Sequence, residues 1–374
     1  MSQRTTPPFR ADHVGSLLRP AEVKAARERF QSGEIDAAAL REVEDDAIRA
    51  AVAMQEEVGL KLATDGELRR QSWHMDFIYQ LGGIGRAPAG VQSVPFRTLD
   101  GETIVSAQGS LRVEDRVSLE HTIFGADFEA LASITTTATP KQTIPSVNMV
   151  YARGGRASID EAVYPDLEQF WSDLIAAYGE ELRRLGELGC RYLQFDDTSL
   201  AMLADPAQRE RIAARGDDAD HLHETFIGRL NEVIALKPQG MAVTTHTCRG
   251  NYRSAYAASG GYDFVAEALF SDLNVDGFFV EYDDERSGGF EPLRFVPKGK
   301  LVVLGLVTTK TGELEAKDEL KRRVEEASRF VDIEQLCLSP QCGFASTLEG
   351  NELSPQQQTA KLRLVVETAQ EIWG

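Results

Sequence analysis

The sequence is short of positive charge, of long apolar runs and of cysteine. Lysine and arginine number 40 against 59 aspartates and glutamates, a formal charge of -19 over 374 residues. So acidic a surface repels a phosphate backbone. That excludes sequence-independent nucleic-acid binding and leaves solubility as the plain role of the charge. No apolar run approaches the roughly 20 residues of a membrane span. The opening MSQRTTPPFRADHVGS lacks the apolar core of a secretory leader. These absences predict a cytoplasmic protein that meets neither membrane nor nucleic acid. Only four cysteines are present, Cys190, Cys248, Cys337 and Cys342, and in such a chain they are expected as thiols or metal ligands rather than disulfides. No GxGxxG and no phosphate-binding P-loop follows any candidate strand.

What is present is alternation. Short apolar runs predict strands at 12–17, 61–67, 141–147, 192–197, 241–248, 277–282, 301–307 and 335–340. Amphipathic stretches with i, i+3, i+4 spacing predict helices at 20–30, 36–59, 164–189, 313–330 and 354–373. Eight strands interleaved with helices predict an α/β chain folded as one (β/α)8 TIM barrel over 1–374, with a doubly wound open sheet as the alternative. One region departs from this rhythm. Residues 82–128 carry glycine clusters and the turn LDGE between RTL and TIVSAQ. They read as a β-rich insertion after the second strand, a candidate lid or contact between copies of the chain.

In such a barrel chemistry sits at the C-terminal ends of the strands. The expected strands deliver His13 and Ser16, Asp65 and Glu67, Asp196 and Asp197, His246 and Cys248, Glu281 with Asp283 and Asp284, and Thr308 to Lys310; Cys342 lies just past the last strand. The stretch VTTHTCRGNY, Val243 to Tyr252, admits three readings: a metal site, a nucleophile pair or an ordinary strand end. His246 and Cys248 stand at i and i+2, so in extended chain they share one face, which is chelate geometry. The same spacing serves a directed Cys–His proton transfer poorly. Zinc takes Cys, His, Asp and Glu ligands, and Glu281 and Cys342 are candidates to complete a set of four. His221 and His223 are a weaker candidate, because i and i+2 on a helix face apart. Cys190 and Cys337 sit inside apolar runs and are expected as packed thiols.

These stretches together resemble a known family. HVGSLLRP at 13–20, TDGELRRQSWHMDF at 64–77, QFDDTSL at 194–200, HTCRGN at 246–251, FVEYDDERSG at 279–288, GLVTTKTGELE at 305–315 and LSPQCGF at 338–344 are similar to the catalytic half of cobalamin-independent methionine synthase, in a short single-barrel form. The resemblance implies a catalytic zinc that activates a thiol for methyl transfer, with His246, Cys248, Glu281 and Cys342 as its ligands. It implies that Gly15 and Ser16 hold the carboxylate of homocysteine, and that Glu67 and Asp196 hold its ammonium group. The partners it implies are a small-molecule thiol and an alkyl or methyl donor, with a second copy of the chain or a methyl-donor protein as further candidates.

Two departures bear on the donor, besides the absence of the N-terminal barrel of full-length members. No tryptophan stands in 139–151, where the family stacks one on a pterin, and Lys310 aligns with a proton-donating histidine. A folate polyglutamate donor is therefore expected to serve poorly. Lys310, or a water held by Asp197, is expected to protonate the leaving group. The short form also resembles epoxyalkane:coenzyme M transferase, which adds a thiol to an epoxide. Coenzyme M carries a sulfonate and no ammonium, so the acids Glu67 and Asp196 favour an amino-acid thiol.

Overall fold

The computed structural model describes residues 4–374, with the side chains of 88–93 outside the description. Its strands are β1 (Leu62–Ala63), β2 (Gly82–Arg97), β3 (Thr103–Ser118), β4 (Thr139–Pro140), β5 (Gln142–Pro145), β6 (Tyr192–Asp197), β7 (Ala242–Thr247), β8 (Gly277–Glu281), β9 (Leu301–Val307) and β10 (Leu336–Pro340). The strands β5 to β10 form one parallel sheet in chain order. Parallel strands covered on both faces need continuous apolar runs, and β9, LVVLGLV, is buried at every position. The long helix Leu167–Glu187 starts on an Asp166 side-chain cap, and the helix Pro355–Trp373 starts on a Ser354–Gln357 capping box. Both lay an apolar stripe on the sheet.

The first two expected strands are nearly lost. Among the described residues, segment 12–17 forms no strand; Ala11 alone bridges Leu338 of β10. The reason is local. Gly15 turns at φ +144°, and the backbone beyond it bonds to rim loops: Leu17 N–H donates to Gly66 O, and Phe344 N–H to Ser16 O. The second expected strand shortens to β1, which pairs with β4. Between Gly15 and β1 the link is a side-chain bond, Thr64 Oγ1 to Gly15 O at 2.6 Å. The remaining six expected strands are present, each within two residues or so of its expected bounds at most ends.

The insertion is β-rich up to 118. The strands β2 and β3 pair antiparallel around a turn in which Thr98 N–H donates to Glu102 O and Gly101 takes φ +89°. Its last part is helical instead. Gly125–Ile134 buries Phe128 and Leu131 at i and i+3. The hairpin tip reaches the loop after β7: Arg97 and Tyr256 exchange two backbone bonds, and Phe96 packs on Tyr252 at 5.4 Å between ring centroids. No described helix is long and apolar enough to cross a membrane.

Candidate metal centre

The β-branched run of β7 pairs with β6 on one side and β8 on the other, which sets its end in fixed register at the rim: Asp196 lies beside His246. Cys248 follows the strand, its N–H donating to Asp197 O at 3.0 Å. Glu281 ends β8. Cys342 lies in the turn after β10, where Gly343 packs against Ser16 so closely that an added Cβ would meet Ser16 Oγ at 1.9 Å and force that side chain to move. One ligand atom each from His246, Cys248, Glu281 and Cys342 lies within 4.8 Å of all the others, and all four residues are buried.

This cluster asks for a cation. The two sulfurs approach to 3.4 Å. Both ring nitrogens of His246 are buried without a hydrogen-bond partner, and buried polar atoms are rarely left so unless something else binds them. Contact with Cys248, then His246, holds the Cys342 thiol well below its ordinary range against the opposing effect of burial, while the same contact drives Cys248 up. Burial raises Glu281 against the pull of Lys310. The Glu281 carboxylate is steered from behind by Arg249 N–H and by Gln341 Nε2, each at 3.4 Å. One nitrogen, two sulfurs and a carboxylate form a donor set that suits zinc. Among the described residues no other group of three or more His, Cys, Asp or Glu converges in this way.

Beside the cluster opens a small cavity lined by Ser16, Glu67, Trp73, Asp196, His246, Cys248, Asn251 and Cys342. Two acids face each other across it. Burial and then the Glu67 charge push Asp196 up to about 7. Glu67 is also raised by burial; its Oε1 accepts from Thr143 Oγ1 at 2.9 Å and its Oε2 has no partner. Glu67 holds φ +57°, a costly conformation for a non-glycine residue and one that concentrates at functional sites. A cationic group between the two acids would relieve both. Gly15 does not line the cavity; it packs beneath, where a Cβ would meet Thr143 Cγ2 at 2.7 Å.

Of the proton-donor candidates, Asp197 lines the cavity and Lys310 does not. Lys310 Nζ pairs with Asp283 Oδ2 at 3.1 Å, outside the cavity lining. The Asp197 carboxylate is taken up by Asn148 Nδ2 at 2.9 Å and by the N–H and hydroxyl of Ser199. His13, expected at the rim, is turned inward and bonds Gln55 Oε1 at 2.8 Å. His221 is exposed on Asp218, and His223 packs on Phe264. Cys190 and Cys337 are buried thiols pushed up to about 12 by burial.

Sequence reasoning missed the aromatic wall. Trp73, inside the quoted stretch TDGELRRQSWHMDF, lines the thiol cavity although no tryptophan stands in 139–151. Its position six residues beyond Glu67, with only three tryptophans in the chain, was the available signal.

The chain has recognisable relatives among known proteins. Residues 9–371 match the family model described as cobalamin-independent synthase, catalytic domain. The chain is 46% identical to the uncharacterized protein YxjH of Bacillus subtilis, over 98% of this chain and 95% of that one. It is 24% identical to a methionine synthase of Pyrococcus abyssi, over 88% and 85% respectively. It also matches the crystal structure of a Listeria monocytogenes protein assigned as a vitamin-B12-independent methionine synthase, with 38% identity, a TM-score of 0.78, and coverage of 99% of this chain and all of that one.

Proposed function

Because the chain belongs to the cobalamin-independent methionine synthase catalytic-domain family, we propose that it transfers a methyl group to the thiol of homocysteine, giving methionine, at a zinc site formed by His246, Cys248, Glu281 and Cys342. The observation that carries this reading is one cavity lined both by His246, Cys248 and Cys342 of the buried His-Cys-Glu-Cys cluster, with the two His246 nitrogens unpartnered, and by the buried acids Glu67 and Asp196. Zinc held there supplies a Lewis acid that keeps a substrate thiol deprotonated near neutral pH.

The protein's own groups do the rest. Glu67 and Asp196 bind the ammonium group, whose charge relieves the strain of two buried carboxylates. Ser16 and the Gly15 turn carry the wall where the substrate carboxylate rests. Trp73 and Asn251 narrow the mouth and exclude water. The sulfur's electron pair forms the new S–C bond, the donor's bond to that carbon breaks with its pair going to the donor, and the donor takes up a proton. Lys310 tunes the site through Glu281, whose charge it favours. It is held on Asp283, so the leaving-group proton comes from a water or from the donor's own surroundings. The sheet is read with this as a (β/α)8 ring, closed between Gly15 and β1 through Thr64.

The test is mass-spectrometric detection of methionine from zinc-loaded protein, homocysteine and a methyl donor. Methionine formed with the wild type and lost in Cys342→Ser supports the reading. Faster consumption of coenzyme M than of homocysteine overturns it.

A further inference from the structure

The strands β7 and β8 keep register as far as Thr247 beside Val280. Past that pair the chain continues into Cys248 on one strand and into Glu281 on the other. A side chain from elsewhere stands between them. Tyr262 Oη donates to Thr247 O at 3.2 Å and accepts Glu281 N–H at 2.9 Å. In a continuing parallel ladder backbone meets backbone. Here the ends of β7 and β8 meet through a phenol oxygen.

Tyr262 follows Gly260, at φ +124°, and Gly261 in the loop after β7, and its side chain is fully buried. Arg249 Nη1 donates both to Tyr262 Oη and to Glu281 O, each at 3.1 Å, and Arg249 Nε and Nη2 are tied to Gly260 O. A phenol hydroxyl has one proton to give and two lone pairs to fill. Glu281 N–H and Arg249 fill the lone pairs, so the proton goes to Thr247 O. All three bonds of this hydroxyl therefore go to the ligand-bearing segments: Thr247 joins His246 to Cys248, Arg249 follows Cys248, and Glu281 is itself a ligand of the proposed site. The neighbouring Tyr282 gives the contrast. Its ring lies 5.4 Å from that of Tyr262 and is equally buried, but its hydroxyl has no partner.

We infer that Tyr262 is a positioning residue for the metal centre: its hydroxyl sets the spacing between the His246–Cys248 pair and Glu281. This rests on the proposed reading of the cluster as a zinc site and adds the group that fixes its geometry. Without the hydroxyl, Glu281 N–H and Thr247 O either pair directly, which draws the strand ends together, or stay buried and unpaired. Either outcome moves Glu281 relative to the two β7 ligands.

The experiment titrates zinc into the metal-free full chain against a chelator, and records the visible spectrum of the cobalt(II)-loaded protein, whose bands report ligand geometry. Tyr262→Phe keeps the ring and should weaken zinc by about 10–100-fold, the usual worth of groups behind metal ligands, with shifted cobalt bands. Tyr282→Phe should match wild type in both. Melting of the metal-free variants checks that each is folded. If Tyr262→Phe does not fold, Arg249→Lys, which removes one of the two donors that orient the hydroxyl, carries the test through a smaller shift of the same bands; unchanged bands there would overturn the inference. Zinc affinity and cobalt spectrum unchanged in Tyr262→Phe, or equal losses in Tyr282→Phe, would also overturn it while leaving the zinc site in place. A wild type that takes up neither metal would overturn both readings. Weakened metal binding in Tyr262→Phe alone, in a protein that forms no methionine, would leave the positioning role standing and sink the proposed function.

Discussion

Two buried polar clusters share the sheet, and they differ in completeness. In the interior, Asp12 Oδ1 takes Lys141 Nζ at 3.1 Å and His13 N–H at 2.8 Å, while Oδ2 takes Phe9 N–H and the Tyr192 hydroxyl. Lys141 also donates to His13 O and lies over the rings of Tyr192 and Phe279. Both oxygens of Asp12, the ammonium of Lys141 and the hydroxyl of Tyr192 each have a partner. At the rim, both nitrogens of His246 and one oxygen of Glu67 are unpartnered. The interior cluster is closed on itself and serves the fold. The rim cluster is closed only by something the chain does not contain, and that difference separates a functional site from a structural one.

The largest expected effect breaks the rim alone. Cys248→Ser and Cys342→Ser should each lower zinc affinity by more than ~100-fold, since even groups behind the ligands are worth 10–100-fold. Metal analysis of purified protein should find one zinc per chain in wild type and almost none in the variants, with melting of the metal-free proteins near that of metal-free wild type. Full zinc in both variants would show that the cluster is not the site.

The next breaks the interior alone. Lys141→Met leaves Asp12 buried and uncompensated, which should cost about 3–5 kcal/mol in denaturant unfolding. The folded fraction should still bind one zinc. Normal stability would mean that the two clusters are not distinct in kind.

A smaller effect tests the acid couple. Asp196→Asn should raise the homocysteine KM roughly tenfold, as expected for a charge-assisted bond of about 1.5–3 kcal/mol, and leave zinc content unchanged. An unchanged KM would place the ammonium elsewhere.

These clusters were unequally legible in the sequence. His246, Cys248 and Cys342 could be singled out because histidine and cysteine are rare in this chain and each lies at or just past the end of an apolar run, and Glu281 because it ends one too. Glu67 and Asp196, two of many acids, were singled out by expected strand ends and by the family resemblance. The placement of His13 was misjudged because one-dimensional order cannot tell which way a residue turns at a segment that bonds to loops instead of a ladder. The closing strands were overcalled because HVGSL has the composition of a strand but its glycine sits at positive φ.

The smallest effect concerns a case between the two extremes. Glu181 accepts the N–H groups of Ile123 and Phe124, yet burial outweighs them and lifts it to about 7. Its protonated form is favoured by folding, so its contribution is present at low pH and lost as pH rises from the usual carboxylate range through about 7. Glu181→Gln should flatten the fall of Tm over about pH 5 to 8 by a few degrees, read by thermal melting across that range. An unchanged slope would assign the pH dependence to other groups.

The most direct test of the rim account is X-ray absorption at the zinc edge of the loaded protein, before and after homocysteine is added. The account predicts two sulfur neighbours from Cys248 and Cys342 in the free protein, rising to three with homocysteine and staying at three in Asp196→Asn at saturating thiol. A sulfur count that remains at two when homocysteine is bound would contradict the claim that this cluster is completed by the substrate.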